Sequence, residues 1–154
     1  MVGSRLNYCS SILYKTTKAN ITKLQRVQNN LAHADLQKPR CTHIDDLLAQ
    51  LHWLPISYYI EYKIALITYK ALKISKPRYL ADLLIHQQQV RAIRLEGKSR
   101  LHQPVPNSQS LSRSFCYATP SIWNLLPPDL QIKETVPDFK TGLKMYMFLS
   151  AYGC

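Results

Sequence analysis

Few residues in this chain could carry chemistry, and spacing decides what each can do. The first candidates are the adjacent carboxylates Asp45 and Asp46. Paired aspartates hold two metal ions in phosphoryl and nucleotidyl transfer. That use needs a tight strand turn and a third carboxylate converging from another strand. Here the pair opens a helical pattern, and Asp35 is the one acid that precedes it. Carboxylates in a first helical turn stabilise the helix dipole, which accounts for both without catalysis. The second candidate is Cys41-x-His43, with His52 and His33 as further ligands. Zinc sites need four ligands, with close pairs at both ends. Only one short pair exists, and His52 beside Trp53 in an apolar run reads as an interfacial histidine. No serine sits in a GxSxG elbow, and the four glycines form no phosphate-cradling loop. No catalytic, metal or cofactor site is expected.

Charge is the remaining chemical signal. Twenty Lys and Arg stand against nine Asp and Glu, a formal net charge of +11. The excess is blocked. Residues 1–40 carry seven basic side chains and one acid, residues 41–62 no Lys or Arg and three acids, and residues 63–100 nine basic and two acidic. Residues 101–154 are near balance, with four against three. Three basic groups result: Lys15, Lys18, Lys23 and Arg26; Lys70, Lys73, Lys76 and Arg78; and Arg91, Arg94, Lys98 and Arg100. Such groups suit the phosphates of a polyanion, with nucleic acid first and an anionic membrane second. The plainer alternative is a set of solvated helix faces. The aromatics Trp53, Tyr62 and Trp123, at helical spacing, are expected in the core rather than stacked on bases.

The elements that must position these groups are helical. The longest periodic stretch is Leu51 to Lys73, LHWLPISYYIEYKIALITYKALK. Pro55 marks its start, and a helix is predicted over 56–74 with Ile56, Ile60, Ile64, Ile67 and Ala71 on one face. Lys63, Lys70 and Lys73 cluster on what remains of the circumference. Before it, residues 4–14 have helical spacing and begin abruptly. Asn20 is the expected N-cap of a helix that fades at Ala34–Asp35 ahead of Pro39. Thr42, with Asp45 three residues on, opens another, with Ile44, Leu47, Leu48 and Leu51 buried. After Pro77 a short helix, RYLADLLI, is expected. From 87 to 114 periodicity is lost, and a long basic loop or extended strand-like arm is predicted. Thr119–Pro120 reads as N-cap and first-turn proline of a helix stopped by Pro127–Pro128. A last helix starts behind Pro137, with Phe139, Leu143, Tyr146, Met147 and Leu149 apolar. The fold class is all-α: an irregular helical bundle in three regions, 1–86, 87–114 and 115–154, within about one domain.

The four cysteines, Cys9, Cys41, Cys116 and Cys154, lie far apart with no CxxC pair. The N-terminus has no apolar signal-like run. No stretch approaches the ~20 apolar residues of a membrane span. An intracellular, reducing setting in nucleus or cytoplasm is expected, with no membrane partner.

The order of these segments resembles the C-terminal region of non-LTR retrotransposon reverse transcriptases, the jockey-like and related long interspersed elements. The resemblance runs through SRLNYCSSILY at 4–14, LQRVQNNLA at 24–32, THIDDLLAQLHWLPISYYIEYKIALITYKAL at 42–72, PRYLADLL at 77–84, SRSFCYATPSIWNLLPPDL at 112–130 and DFKTGLKMYMF at 138–148. It covers nearly the whole chain. LHWLP followed by YKAL and then PxxWNxLP is specific only as a set. The resemblance implies a thumb-like region downstream of the polymerase palm that grips RNA or DNA backbones. The family's catalytic aspartates precede the part that this chain matches, so none is carried over, and Asp45–Asp46 does not correspond to them. Two departures, at His33 and near Tyr59, remove positive charge that the family commonly has. The phosphate contacts expected are Lys15, Lys18, Lys23, Arg26, Lys70, Lys73, Arg91 and Arg94, with weak and non-specific affinity. The alternative is a structural module that packs on a palm absent from this chain.

Overall fold

The computed structural model describes residues 10–39, 41–86, 100–105, 108 and 111–153. Seven α-helices lie among them: α1 (Lys18–Asp35), α2 (Ile44–Gln50), α3 (Ile56–Ile74), α4 (Arg78–Ala81), α5 (Phe115–Trp123), α6 (Pro128–Gln131) and α7 (Val136–Tyr152). Two 3₁₀ turns occur at Ser10–Leu13 and Leu111–Arg113. The described residues contain no strand, only an isolated antiparallel bridge between His86 and Leu101. The fold is all-α. Most of the expected basic arm, including Arg91 and Arg94, lies outside the described residues, as do residues 4–9 of the first expected helix.

Helix α3 has the predicted bounds. The Pro55 carbonyl accepts from Tyr59 N at 2.9 Å, so the proline stands at the cap, one step before the helix. Three other helix starts differ from expectation. Helix α1 begins at Lys18 behind Thr17, with Asn20 inside its first turn, where its amide reaches the Thr16 hydroxyl at 3.3 Å. Helix α2 is preceded by His43 rather than Thr42. Helix α5 starts at Phe115 behind Ser114 and runs through Pro120. A proline there loses one helical hydrogen bond, yet Ala118, Thr119 and Pro120 are all buried, and that burial carries the helix past it. Helix α4 is only four residues, shorter than RYLADLLI.

With so few glycines, helix ends rely on other residues. Gln37, His52 and Ser75 follow α1, α2 and α3 with φ of 50°, 53° and 54°. After α2 the bonds His52 N to Ala49 O (3.0 Å) and Trp53 N to Leu48 O (2.9 Å) make a Schellman motif. His52 is therefore an exposed helix-ending residue whose ring stacks on Phe148 at 5.8 Å.

The chain divides into two compact units, Met1–Tyr62 with Lys144–Cys154, and Lys63–Leu143. In the first, Ala32, Leu47 and Leu48 form a buried cluster covered by Leu36, Ile44, Leu51, Trp53 and Tyr152. The Tyr152 hydroxyl donates to Trp53 O at 2.5 Å, and the Tyr58 hydroxyl to Ser150 O at 3.1 Å. Leu149, expected on the apolar side, is 47% exposed.

In the second unit Tyr69 stacks on Phe139 at 4.1 Å and 13°, with Trp123 against the same ring at 6.0 Å. All three are buried, as is Ile64. The Tyr69 hydroxyl donates to Lys133 O at 2.7 Å, so its polar tip is satisfied where its ring is dry. Gln131 is buried and donates to Trp123 O at 2.8 Å, tying α6 to the end of α5. Asn124 grips Leu101 with two 3.0 Å bonds, one to its N–H and one to its carbonyl. Thr135 and Asp138 cap α7 reciprocally: the threonine hydroxyl donates to the carboxylate at 2.6 Å and accepts from Asp138 N at 3.3 Å. Gly142 matters for approach, since a Cβ there would meet Leu130 Cδ2 at 2.8 Å.

Candidate nucleic-acid interface

In the first unit the basic group is carried by α1. At 3.6 residues per turn, Lys18, Arg26 and Lys23 span about 140° of its circumference, with Arg26 and Lys23 turned away from buried Gln28 and Ala32. All three are exposed. Lys15 precedes the helix with φ 51° and holds its ammonium 5.7 Å from the centre of the Tyr14 ring. What orients α1 is an amide network. Gln28 donates to Leu54 O at 2.9 Å, and Gln25 accepts from Ile56 N at 2.9 Å. Gln25 also donates to Gln28 Oε1 and Asn29 Oδ1, both at 2.9 Å. The two glutamines thus satisfy both sides of the Leu54–Pro55–Ile56 turn. Ile56 N is one of the donors that a helix start leaves orphaned. A buried polar group is tolerated when so paired. At helical spacing Gln28 shares a mostly apolar face with Ile21, Leu24, Val27 and Leu31, so the signal of its role is a polar residue at a position due for burial.

In the second unit α3 carries Lys70 and Lys73, both exposed, with Lys63 half-buried on the same side, within about 80° of arc. Lys76 and Arg78 continue the group beyond the helix end, also exposed. Among the described residues no ion pair engages Lys18, Lys23, Arg26, Lys70 or Lys73, whereas His43 Nδ1 lies 3.9 Å from Asp45 Oδ2, both largely exposed. The structure therefore gathers Lys18, Lys23 and Arg26 on one helix and Lys70 and Lys73 on another. Arg91 and Arg94 lie outside the described residues.

The other chemical candidates separate. Asp45 and Asp46 sit exposed in the first turn of α2, as a dipole reading requires. Cys41 is exposed and Cys116 half-buried, both free thiols. Among the described residues no group of three His, Cys, Asp or Glu could hold a metal ion. No described helix is long and apolar enough to cross a membrane. Perturbed ionisation falls on packing residues. Burial raises Glu61 above its ordinary range. Burial, then the neighbouring Tyr59, raises Tyr62. Burial, then Asp138 and Glu134, raises Tyr69. Burial, then Asp45, pushes Tyr152 up to about 12. None of these lies among the basic groups.

Compared with family models, curated proteins and solved structures, the chain matches none.

Proposed function

We propose that this chain is a non-catalytic, nucleic-acid-gripping region of the kind found downstream of the palm in non-LTR retrotransposon reverse transcriptases. It holds RNA or DNA backbones through basic side chains and acts in the nucleus or cytoplasm. The observation that carries this reading is the set of exposed cations on α1 and α3, unpaired with any described carboxylate, in a chain of net charge +11. Phosphates bind such groups by releasing condensed counterions, so affinity follows salt rather than sequence. The order of the LQRVQNN, LHWLP, YKAL and PxxWNxLP segments supports the family. The hydrogen bonds from Gln25 and Gln28 to the LHWLP turn give two of those segments a shared structural reason. The structural alternative, packing on a polymerase palm, draws on exposed apolar residues such as Leu125 (79%) and Ile132 (58%).

The deciding experiment measures binding of fluorescent RNA and DNA oligonucleotides across a salt series. Binding at low salt that weakens steeply as salt rises supports the reading. No binding at low salt, or binding indifferent to salt, removes it.

A further inference from the structure

Aromatic side chains among the described residues are covered with one exception. Among the described residues, every Trp, Phe and Tyr except Tyr79 is buried or half-buried. Tyr69 is 0% and Trp123 1% exposed, whereas Tyr79 is 68% exposed. Tyr79 makes no ring contact or hydrogen bond through its side chain among the described residues.

The segment that leads up to it is cationic, and Asp82, three residues after it, is the nearest acid in sequence. Residues 70–79, KALKISKPRY, contain Lys70, Lys73, Lys76 and Arg78 and no acid, and the four basic residues are all exposed. The backbone folds the last of these into one turn, with Leu80 N to Pro77 O at 3.1 Å and Ala81 N to Pro77 O at 3.3 Å. Lys76 and Tyr79 are three residues apart, so their Cα atoms are at most about 11 Å apart. Exposed phenol ring and exposed cations therefore share one short surface segment.

We propose that Tyr79, with Lys73, Lys76 and Arg78, forms a binding site for single-stranded nucleic acid, in which the cations take successive phosphates and the phenol ring stacks on an unpaired base. The reasoning is charge complementarity joined to ring exposure. Cations alone hold duplex and single strand alike. A bare aromatic face gains only where a base is free of its own stack, and every base offers such a face, so the preference is for strandedness and not for sequence. Arg78, adjacent to the ring, adds a planar cation suited to phosphate or to a base face. This inference rests on the proposed nucleic-acid reading and deepens it by naming the strand class.

The test is fluorescence anisotropy with the full chain and three probes: a 12-nucleotide single-stranded RNA carrying 2-aminopurine, a duplex of the same length, and anionic phosphatidylserine vesicles. Wild type should prefer the single strand at equal salt and quench the 2-aminopurine. Tyr79→Ala should weaken single-strand binding about tenfold and lose the quench, while duplex binding and the salt slope stay unchanged. Tyr79→Phe should retain wild-type behaviour, because stacking needs the ring and not the hydroxyl. Lys73→Ala/Lys76→Ala should instead lower the salt slope on both strand types. Salt-dependent binding that Tyr79→Ala leaves intact overturns the stacking site and spares the general reading. No binding by wild type at low salt removes both. Loss of vesicle binding in Tyr79→Ala, with nucleic-acid binding untouched, overturns the proposal in favour of an anionic lipid surface. Circular dichroism of each variant confirms that the exposed substitutions leave the fold in place.

Discussion

Gln28 donates its side-chain amide to the main-chain oxygen of Leu54 at 2.9 Å across 26 residues of sequence, and both residues are buried. With Gln25 on Ile56 N, this bond fixes the entry to α3, the helix that carries Lys70 and Lys73. Gln28→Leu should therefore destabilise the protein by about 1–3 kcal/mol, since the Leu54 carbonyl is left buried without its donor. Chemical denaturation should show this as a lower midpoint with an unchanged slope. A midpoint equal to wild type would mean that the turn does not depend on the glutamine.

Charge removal separates phosphate contacts from packing. Lys18→Ala/Lys23→Ala/Arg26→Ala should reduce the slope of log K against log salt for single strands by about 2, at ~0.7 per phosphate. Thermal stability should hardly move, because the three side chains are exposed. An unchanged slope would take α1 out of the interface.

Glu61 lies between buried Ile60 and Tyr62, and desolvation raises its pKa above the ordinary 4.5. The folded state then holds this proton at pH values where the unfolded chain has released it. Its contribution to stability is complete below 4.5 and is lost as pH rises through the raised folded value. Glu61→Gln should melt higher than wild type at pH 7, and the difference should vanish near pH 4. Equal melting temperatures at pH 7 would show the carboxylate to be well solvated.

Tyr152 titrates at about 12, against an ordinary 10, because burial and then Asp45 disfavour its anion. The sign is the same: its contribution is present below 10 and lost as pH rises through about 12. Tyr152→Phe removes the bond to Trp53 O and should cost about 0.5–1.5 kcal/mol at pH 7. The variant should also lose less stability than wild type between pH 10 and 12, measured by urea titration. Parallel curves over that range would contradict the assignment.

Gln37 ends α1 in the left-handed region at φ 50° with an exposed side chain. Gln37→Gly relieves that conformation at the cost of a looser unfolded chain. The net expectation is a gain of up to about 1 kcal/mol, read as a higher melting temperature. A lower one would show that the Gln37 side chain stabilises the fold.

Local signals in the sequence determined the helical class, the bounds of α3 and the end of α1 at Asp35. Pro55, Pro39 and a 3.6-residue apolar period act through neighbouring backbone, so they can be read without knowing what lies opposite. The exposure of Lys23, Arg26, Lys70 and Lys73 followed from the same period, since charge avoids the buried side. The helix start at Phe115 was not legible, because burial of Ala118, Thr119 and Pro120 outweighs what Pro120 signals locally. Nor was the pairing of Gln28 with Leu54, which depends on chain packing across 26 residues. Helical spacing already pointed Tyr62 to the core; only the tertiary structure stacked Tyr69 on Phe139 and left Tyr79 bare, because ring contact is decided by which neighbour arrives to cover it.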